Sequence, residues 1–359
     1  MSRDQTVFSE LAVAFGINNT LEGISGLDQN SLNKYKREQL LRNNSSNQDL
    51  KNSEEKLINA GKKIRDWLHK KKYINNINLE WSANIAPATG ETVAQDLIVR
   101  NTGTRISVKE NAELFHNPSP TQVFEFWPKG IEFTRARSED WFISIANKEL
   151  DAYFIACNGP QKTGQPNVQK YYENVTGSQT INGRSLKRRK AFTEYVKKLH
   201  DDNNSIAKNA YQVFCDAVSI RSAERFNINF QNTYQRDKNG NYDIHQLSSL
   251  ISVFFKMDDF EHILAGTEKN NAFAVVVQDI QSWKKNFSVI GISAIPLQAG
   301  QPEVLIEFSF RNNFTKVDYK YGVQSQVRWS HGKFCGNPEG KLYRYGSWKY
   351  TELPWCQVL

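Results

Sequence analysis

Two short apolar runs joined by a tight turn place the strongest constraint on how this chain folds. Leu97–Val99 and Arg105–Val108 flank the turn Asn101–Thr104, which contains a glycine. Apolar and β-branched residues on both sides of such a turn predict a β-hairpin. Asp96 precedes the first run, and Lys109 ends the second. The pattern therefore predicts a carboxylate and an ammonium at one end of a sheet.

The charged residues of this hairpin favour a catalytic role. Burying charge in a largely apolar hairpin costs free energy, and such placements are enriched at functional sites. A carboxylate such as Asp96 can hold a divalent cation. A lysine such as Lys109 can orient a water molecule that attacks a phosphate, and can help to deprotonate it. The alternative is that both residues are ordinary surface charges at strand ends.

The segments Asp96–Val99 and Ile106–Asn111 resemble the active-site hairpin of the PD-(D/E)xK nuclease superfamily. Among its members they are most similar to type II restriction endonucleases of the HaeIII-like group. The resemblance implies an α/β (α+β) fold, with a nuclease core of a mixed sheet flanked by helices. Strand-favouring runs after about residue 226 predict a β-rich C-terminal region. The resemblance also implies Mg²⁺ held by Asp96, by the backbone carbonyl of Val108 and by a glutamate, with Lys109 as the catalytic lysine.

One position departs from the family pattern. Ser107 stands two residues before the lysine, where the family usually has its second acid. Relatives with serine there recruit a glutamate from elsewhere in the chain. We expect Glu110 to replace it, because it adjoins Lys109, with Glu125 as the second choice for the metal. Two further acids remain open as candidates: Glu80 and Glu91.

Composition favours a globular protein that binds a polyanion. The chain has 359 residues, of which 39% are apolar, and 46 Lys and Arg against 38 Asp and Glu give a net charge of +8. This positive charge suits double-stranded DNA. The many aromatic residues leave an RNA-processing nuclease as an alternative. We expect an N-terminal helical segment (1–50), a nuclease core with helical insertions (51–225) and a β-rich region with recognition elements (226–359).

A dense basic cluster begins a predicted helix in the second half of the core. Its positive charge opposes the helix dipole, which favours a phosphate-binding role over a purely solvated helix start. The expected DNA contacts in this cluster are Arg184, Lys187, Arg188, Arg189 and Lys190.

A later loop combines glycines with residue types that read base edges. Arg and Lys can pair with guanine and Asn with adenine, while glycines let the backbone approach a ligand. The expected contacts are Arg328, Ser330, His331, Lys333, Asn337 and Lys341. The alternative is a tight loop that only joins two strands.

Several function classes receive no support from the sequence. The N-terminus predicts no signal peptide, and no apolar run is long enough to span a membrane, so we expect a cytoplasmic protein without a membrane partner. Residues 158–166 lack the Gly-Lys-Ser/Thr ending of a P-loop, so no nucleotide cofactor is expected. The resulting hypothesis is a Mg²⁺-dependent endonuclease of a restriction-modification system that acts as a homodimer. A monomer, and a non-catalytic DNA-binding protein that kept the fold, remain alternatives.

Overall fold

The chain forms two units from interleaved segments. The structure is a computed structural model and describes residues 3–74, 76–82, 96–110, 114–116, 118–126, 141–176, 184–238, 240–242, 244–255, 257–268 and 271–359. The first unit contains residues 1–115, 251–287 and 346–359, and the second contains residues 116–250 and 288–345.

A mixed sheet forms the centre of the first unit. Its strands are β1 (Leu79–Trp81), β2 (Leu97–Val99), β3 (Thr104–Lys109), β5 (His262–Glu268), β6 (Asn271–Val277) and β11 (Cys356–Val358), while β4 (Leu114–His116) is not one of them. The strand order is β1-β2-β3-β5-β6-β11. Only the β3–β5 pair is parallel; the others are antiparallel. The predicted hairpin is confirmed, because Leu97 pairs with Ile106 and Val99 with Thr104.

Four helices come at the start of the chain: α1 (Arg3–Asn18), α2 (Gln29–Asn43), α3 (Gln48–Lys51) and α4 (Ser53–Lys71). Helices α1 and α4 pack on this sheet, and α2 packs on α1. Asp28 caps the start of α2, because its Oδ1 accepts a 2.7 Å hydrogen bond from the N–H of Ser31. Buried residues of α1, α4, β2, β3 and β5 form one apolar core.

Two glycines allow α1 and α4 to cross at very short distance. A Cβ on Gly16 would lie 2.1 Å from the carbonyl oxygen of Ile58, and one on Gly61 would lie 2.2 Å from that of Val13. No larger residue fits at this crossing without displacing a helix backbone. The crossing fixes α1, which carries residues of the candidate site, relative to α4.

The second unit combines helices with an antiparallel sheet. Its helices are α5 (Pro120–Phe124), α6 (Trp141–Ala156), α7 (Gly159–Thr163), α8 (Val168–Thr176), α9 (Arg184–Asp201) and α10 (Ser205–Thr233). The strands β7 (Phe287–Gln298), β8 (Pro302–Asn312), β9 (Asp318–Trp329) and β10 (Pro338–Tyr345) lie side by side in the order β10-β9-β8-β7. Helix α10 contacts β8, where the N–H of Glu303 donates to Ser219 Oγ at 2.9 Å.

Three further helices complete the description: α11 (Ile244–Phe255), α12 (Ile280–Asn286) and a 3₁₀ helix (Tyr350–Glu352). The expected combination of helices with a mixed sheet and a β-rich C-terminal region is confirmed at this level. Residues 158–166, which lack the ending of a P-loop, contain α7.

Candidate active site

Asp96 is held at the start of β2 by both its backbone and its side chain. Its N–H donates to the carbonyl of Ile106 at 3.0 Å, and its carbonyl accepts from the N–H of Ser82 at 3.0 Å. Its Oδ2 accepts from the N–H of Val108 at 2.6 Å and lies 3.4 Å from Ser107 Oγ. The carboxylate is buried and cannot rotate freely, which suits a metal ligand or an orienting group.

Strand β3 directs its polar groups according to the alternation of a β-strand. Ser107 and Lys109 project to one face, and Val108 projects to the other, where it joins the apolar core. The N–H and the carbonyl of one residue point to the same side of a strand. Because the N–H of Val108 meets Asp96, its carbonyl also points toward the Asp96 side of β3.

The backbone of Lys109 is fixed by a glycine on the neighbouring strand. Gly266 pairs with Lys109 and has a φ of 145°, a value that L side chains rarely adopt. A Cβ at this position would lie 1.7 Å from the carbonyl oxygen of Lys109. The close contact between β3 and β5 therefore depends on glycine and holds Lys109 in place.

Glu10 of α1 adds a second carboxylate to this site. It is the only charged residue in the run Val7–Ile17 and is 3% exposed. Trp81 Nε1 donates to its Oε2 at 2.8 Å. Burial, and after it the nearby carboxylate of Asp96, raise the pKa of Glu10 to about 8, whereas the Trp81 hydrogen bond and the charge of Lys109 act in the opposite direction. Glu10 thus lies within electrostatic reach of both predicted catalytic residues.

These groups provide oxygen ligands for a hard divalent cation. The carboxylates of Glu10 and Asp96 and the carbonyl of Val108 are the ligand types that Mg²⁺ prefers. A cation between two buried carboxylates would also neutralise the repulsion that helps to raise the pKa of Glu10. Within the described ranges, no cluster contains three or more His, Cys, Asp or Glu side chains suited to a metal.

Glu110, the acid that the sequence favoured, forms a separate buried network. Its carboxylate pairs with both terminal nitrogens of Arg42, and the Nη2–Oε2 distance is 3.0 Å. Ser9 Oγ donates to Glu110 Oε2 at 2.6 Å. Arg42 Nε also donates to Glu38 at 3.0 Å, and its Nη1 donates to Ser53 at 2.8 Å. This network ties the end of β3 to α1, α2 and α4.

The other candidate acids have different surroundings. Glu80 pairs with Arg100 within the first unit. Glu125 belongs to the second unit, where it accepts a 3.1 Å hydrogen bond from Arg225. Glu91 lies outside the described residues. The pKa of Glu10, in contrast, responds to both Asp96 and Lys109.

The predicted basic cluster lies on α9. The helix covers the whole cluster, and Lys190 is exposed. The side chains of four members lie outside the described part of the structure: Arg184, Lys187, Arg188 and Arg189. Their role in phosphate binding therefore stays a prediction.

The predicted base-reading loop joins β9 to β10 and is partly buried. Phe334 packs against Tyr153, with ring centroids 4.9 Å apart, and Cys335 is also buried. Lys333 is half-buried, with Nζ 4.4 Å from the ring centroid of Tyr211, and burial lowers its pKa. This loop contributes apolar anchors to the second unit.

The remaining predicted DNA contacts differ in exposure. Arg328, His331 and Asn337 are exposed, whereas Ser330 and Lys341 are half-buried. The N–H of Ser330 donates to the carbonyl of Asn337 at 3.0 Å, which closes the loop. The exposed members are the ones available to a ligand in this conformation.

Two residues of the site were absent from the sequence-based candidates: Glu10 and Arg42. Glu10 had a usable signal, since a lone acid in an otherwise uncharged buried helix face is costly without a purpose. No signal in the sequence pointed to Arg42, because its partner Glu110 lies far away in the sequence.

No protein-family model, curated protein or solved structure matches this chain. None of the described helices combines the length and apolar character needed to cross a membrane.

Proposed function

We propose that this protein is a Mg²⁺-dependent endonuclease that hydrolyses phosphodiester bonds of double-stranded DNA at a specific sequence. The observation that carries the proposal is that the pKa of the buried Glu10 responds to both Asp96 and Lys109 of the hairpin β2–β3. The resemblance of this hairpin to PD-(D/E)xK nucleases supports it. So does the antiparallel series β1-β2-β3 followed by a parallel neighbour, β5. The proposal includes a role as the nuclease of a restriction-modification system.

In this proposal Glu10 takes the place of the missing second acid. Ser107 cannot serve as a carboxylate ligand, and Glu110 is committed to Arg42 and Ser9. Asp96, Glu10 and the Val108 carbonyl would hold the cation. A bound Mg²⁺ supplies a Lewis acid that lowers the pKa of water and offsets charge on the scissile phosphate.

The remaining residues orient the two carboxylates and the attacking water, and they stabilise negative charge in the transition state. Val108 N–H and Ser107 Oγ hold the Asp96 carboxylate in one orientation. Trp81 does the same for Glu10 through its indole N–H. Lys109 Nζ would orient the attacking water and stabilise negative charge on the phosphate oxygens in the transition state.

Digestion of a plasmid of known sequence, with Mg²⁺ and with EDTA, tests the proposal. We expect discrete fragments only with Mg²⁺. Lys109→Ala should lower the cleavage rate at least ~1,000-fold and leave DNA binding within a few-fold, because lysine acts on the transition state and not on groove contacts. Specific DNA binding without cleavage by the wild-type protein would favour the non-catalytic alternative. Preferential cleavage of RNA would favour the RNA-processing one.

Matched variants test whether Glu10 is the second metal-binding acid. Glu10→Gln should abolish cleavage, whereas Glu80→Gln removes a similarly buried carboxylate in the same unit and should cleave normally. If Glu10→Gln cleaves at the wild-type rate, Glu10 is not part of the metal site.

A further inference from the structure

Helix α10 has a second apolar face that the described contacts of the chain leave exposed. Its inner face buries Phe214 and Val218. On the other side Ile206, Val213 and Ile220 are 68%, 58% and 43% exposed. An exposed apolar patch of a few hundred Å² on a protein surface is often functional.

These three exposed residues form a row that is symmetric about Val213. Ile206 and Ile220 each lie seven residues from it. An α-helix drifts by only about 20° over seven residues, so the three side chains stay on one face. The row therefore has the same order, Ile-Val-Ile, in either direction along the helix. We call this row the α10 stripe.

We propose that the occupant of the α10 stripe is a second copy of the chain, packed antiparallel about a two-fold axis at Val213. A two-fold interface needs a surface that is complementary to itself. In this arrangement Ile206 contacts the partner's Ile220, and Val213 contacts the partner's Val213. A seven-residue repeat of aliphatic side chains is the pattern by which paired helices interlock.

The residues that flank the stripe also match under this symmetry. On one edge Ala210 comes to the level of the partner's Ala217, and both residues are half-buried and small enough for close approach of the helices. On the other edge Asn209 comes to the level of the partner's Asp216. Asp216 accepts a 2.9 Å hydrogen bond from Gln212 through Oδ1. A carboxylate has two oxygens and can also accept from the exposed amide of Asn209.

The size of the stripe indicates a weak dimer. The three large side chains expose roughly 300 Å² per copy, which is below the roughly 800 Å² per partner of a standard interface. We therefore expect a dissociation constant on the order of 10 µM. The proposal does not depend on nuclease activity.

Sedimentation velocity at protein concentrations from about 1 to 100 µM, a range centred on the expected dissociation constant, tests the dimer. Val213→Asp should leave the protein monomeric throughout this range. Phe314→Asp is the matched control, because Phe314 is 72% exposed in the turn between β8 and β9 of the same unit, and this variant should dimerise like the wild type. Thermal unfolding of both variants checks that they are folded. A wild type that stays monomeric at the highest concentration, or a Val213→Asp dimer of unchanged affinity, overturns the proposal.

A charge exchange tests the direction of pairing. Ile206→Glu and Ile220→Lys should each weaken the dimer at least ~10-fold, because each places an unpaired charge in an apolar contact. Combined in one chain, they should restore the affinity to within about 3-fold of the wild type, since each new carboxylate then faces the partner's new ammonium. Parallel helices would instead place like charges together, so a double variant weaker than both single variants would refute antiparallel pairing.

Discussion

Replacing Glu10 with glutamine should stabilise the metal-free protein while it removes activity. At pH 7 the folded protein, in which the pKa of Glu10 is about 8, keeps the proton. The unfolded chain, with an ordinary value of 4.5, releases it. This difference in the pKa of Glu10 between the two states lowers the free energy of unfolding of the wild type by about 3 kcal/mol at pH 7. Glutamine is neutral in both states and still offers an oxygen to Trp81, so the variant avoids this cost.

The pH dependence of the gain follows from the direction of the shift. Because the pKa of Glu10 is higher in the folded protein than in the unfolded chain, the cost is absent below about pH 4.5. It grows as the pH rises and reaches about 4 kcal/mol at pH 8. The gain from Glu10→Gln should therefore be small at pH 5 and large at pH 8. Added Mg²⁺ should reduce it by stabilising the wild type alone.

Urea unfolding in EDTA at pH 5 and pH 8 measures this effect. The matched control is Glu80→Gln. Glu80 is also buried, but it pairs with Arg100, so removing its charge should destabilise the fold. A gain for Glu10→Gln that does not change with pH, or a loss of stability at pH 8, would refute the reasoning.

Three further predictions concern two residues that support the candidate site and one histidine of the second unit. Arg42→Met should lower the free energy of unfolding by about 3–5 kcal/mol in urea titrations, because it leaves Glu110 buried without its cation; an effect below about 1 kcal/mol would mean that the network is dispensable. Gly16→Ala should cost about 1–3 kcal/mol in the same assay, because its Cβ meets the carbonyl of Ile58, although alanine usually stabilises helices. Burial and two nearby lysines lower the pKa of His200 from 6.5 to about 4. The contribution of His200 to stability should therefore be constant above pH 6.5 and fall by about 1 kcal/mol toward pH 4 after allowance for solvent screening, and the difference between the wild type and His200→Phe should show this slope.

Local patterns predicted the hairpin of the site, because a hairpin depends on residues close in sequence. The β2–β3 hairpin follows from its turn and its apolar runs. Glu10 was not predicted, because it joins Asp96 only through the packing of α1 on the sheet. The choice of Glu110 relied on its adjacency to Lys109. Adjacent residues at a strand end point in different directions, and Glu110 faces Arg42.

The division of the chain into units was also beyond a reading of local patterns. The sequence predicted contiguous regions divided near residues 50 and 225. The units instead consist of interleaved segments, with 116–250 inserted between parts of the first unit. Composition changes along the chain mark where strands become frequent, but they do not show which distant strands pair.

The pairing of β3 with β5 has a consequence for the order of events during synthesis. The strand beside Lys109 begins at His262, so the ribosome must add more than 150 residues after Lys109 before this neighbour exists. At typical rates this interval is on the order of ten seconds. A β2–β3 hairpin that forms during this interval would have a free edge at β3, which can pair with other chains. The candidate catalytic lysine gains its final support from β5 only late in translation.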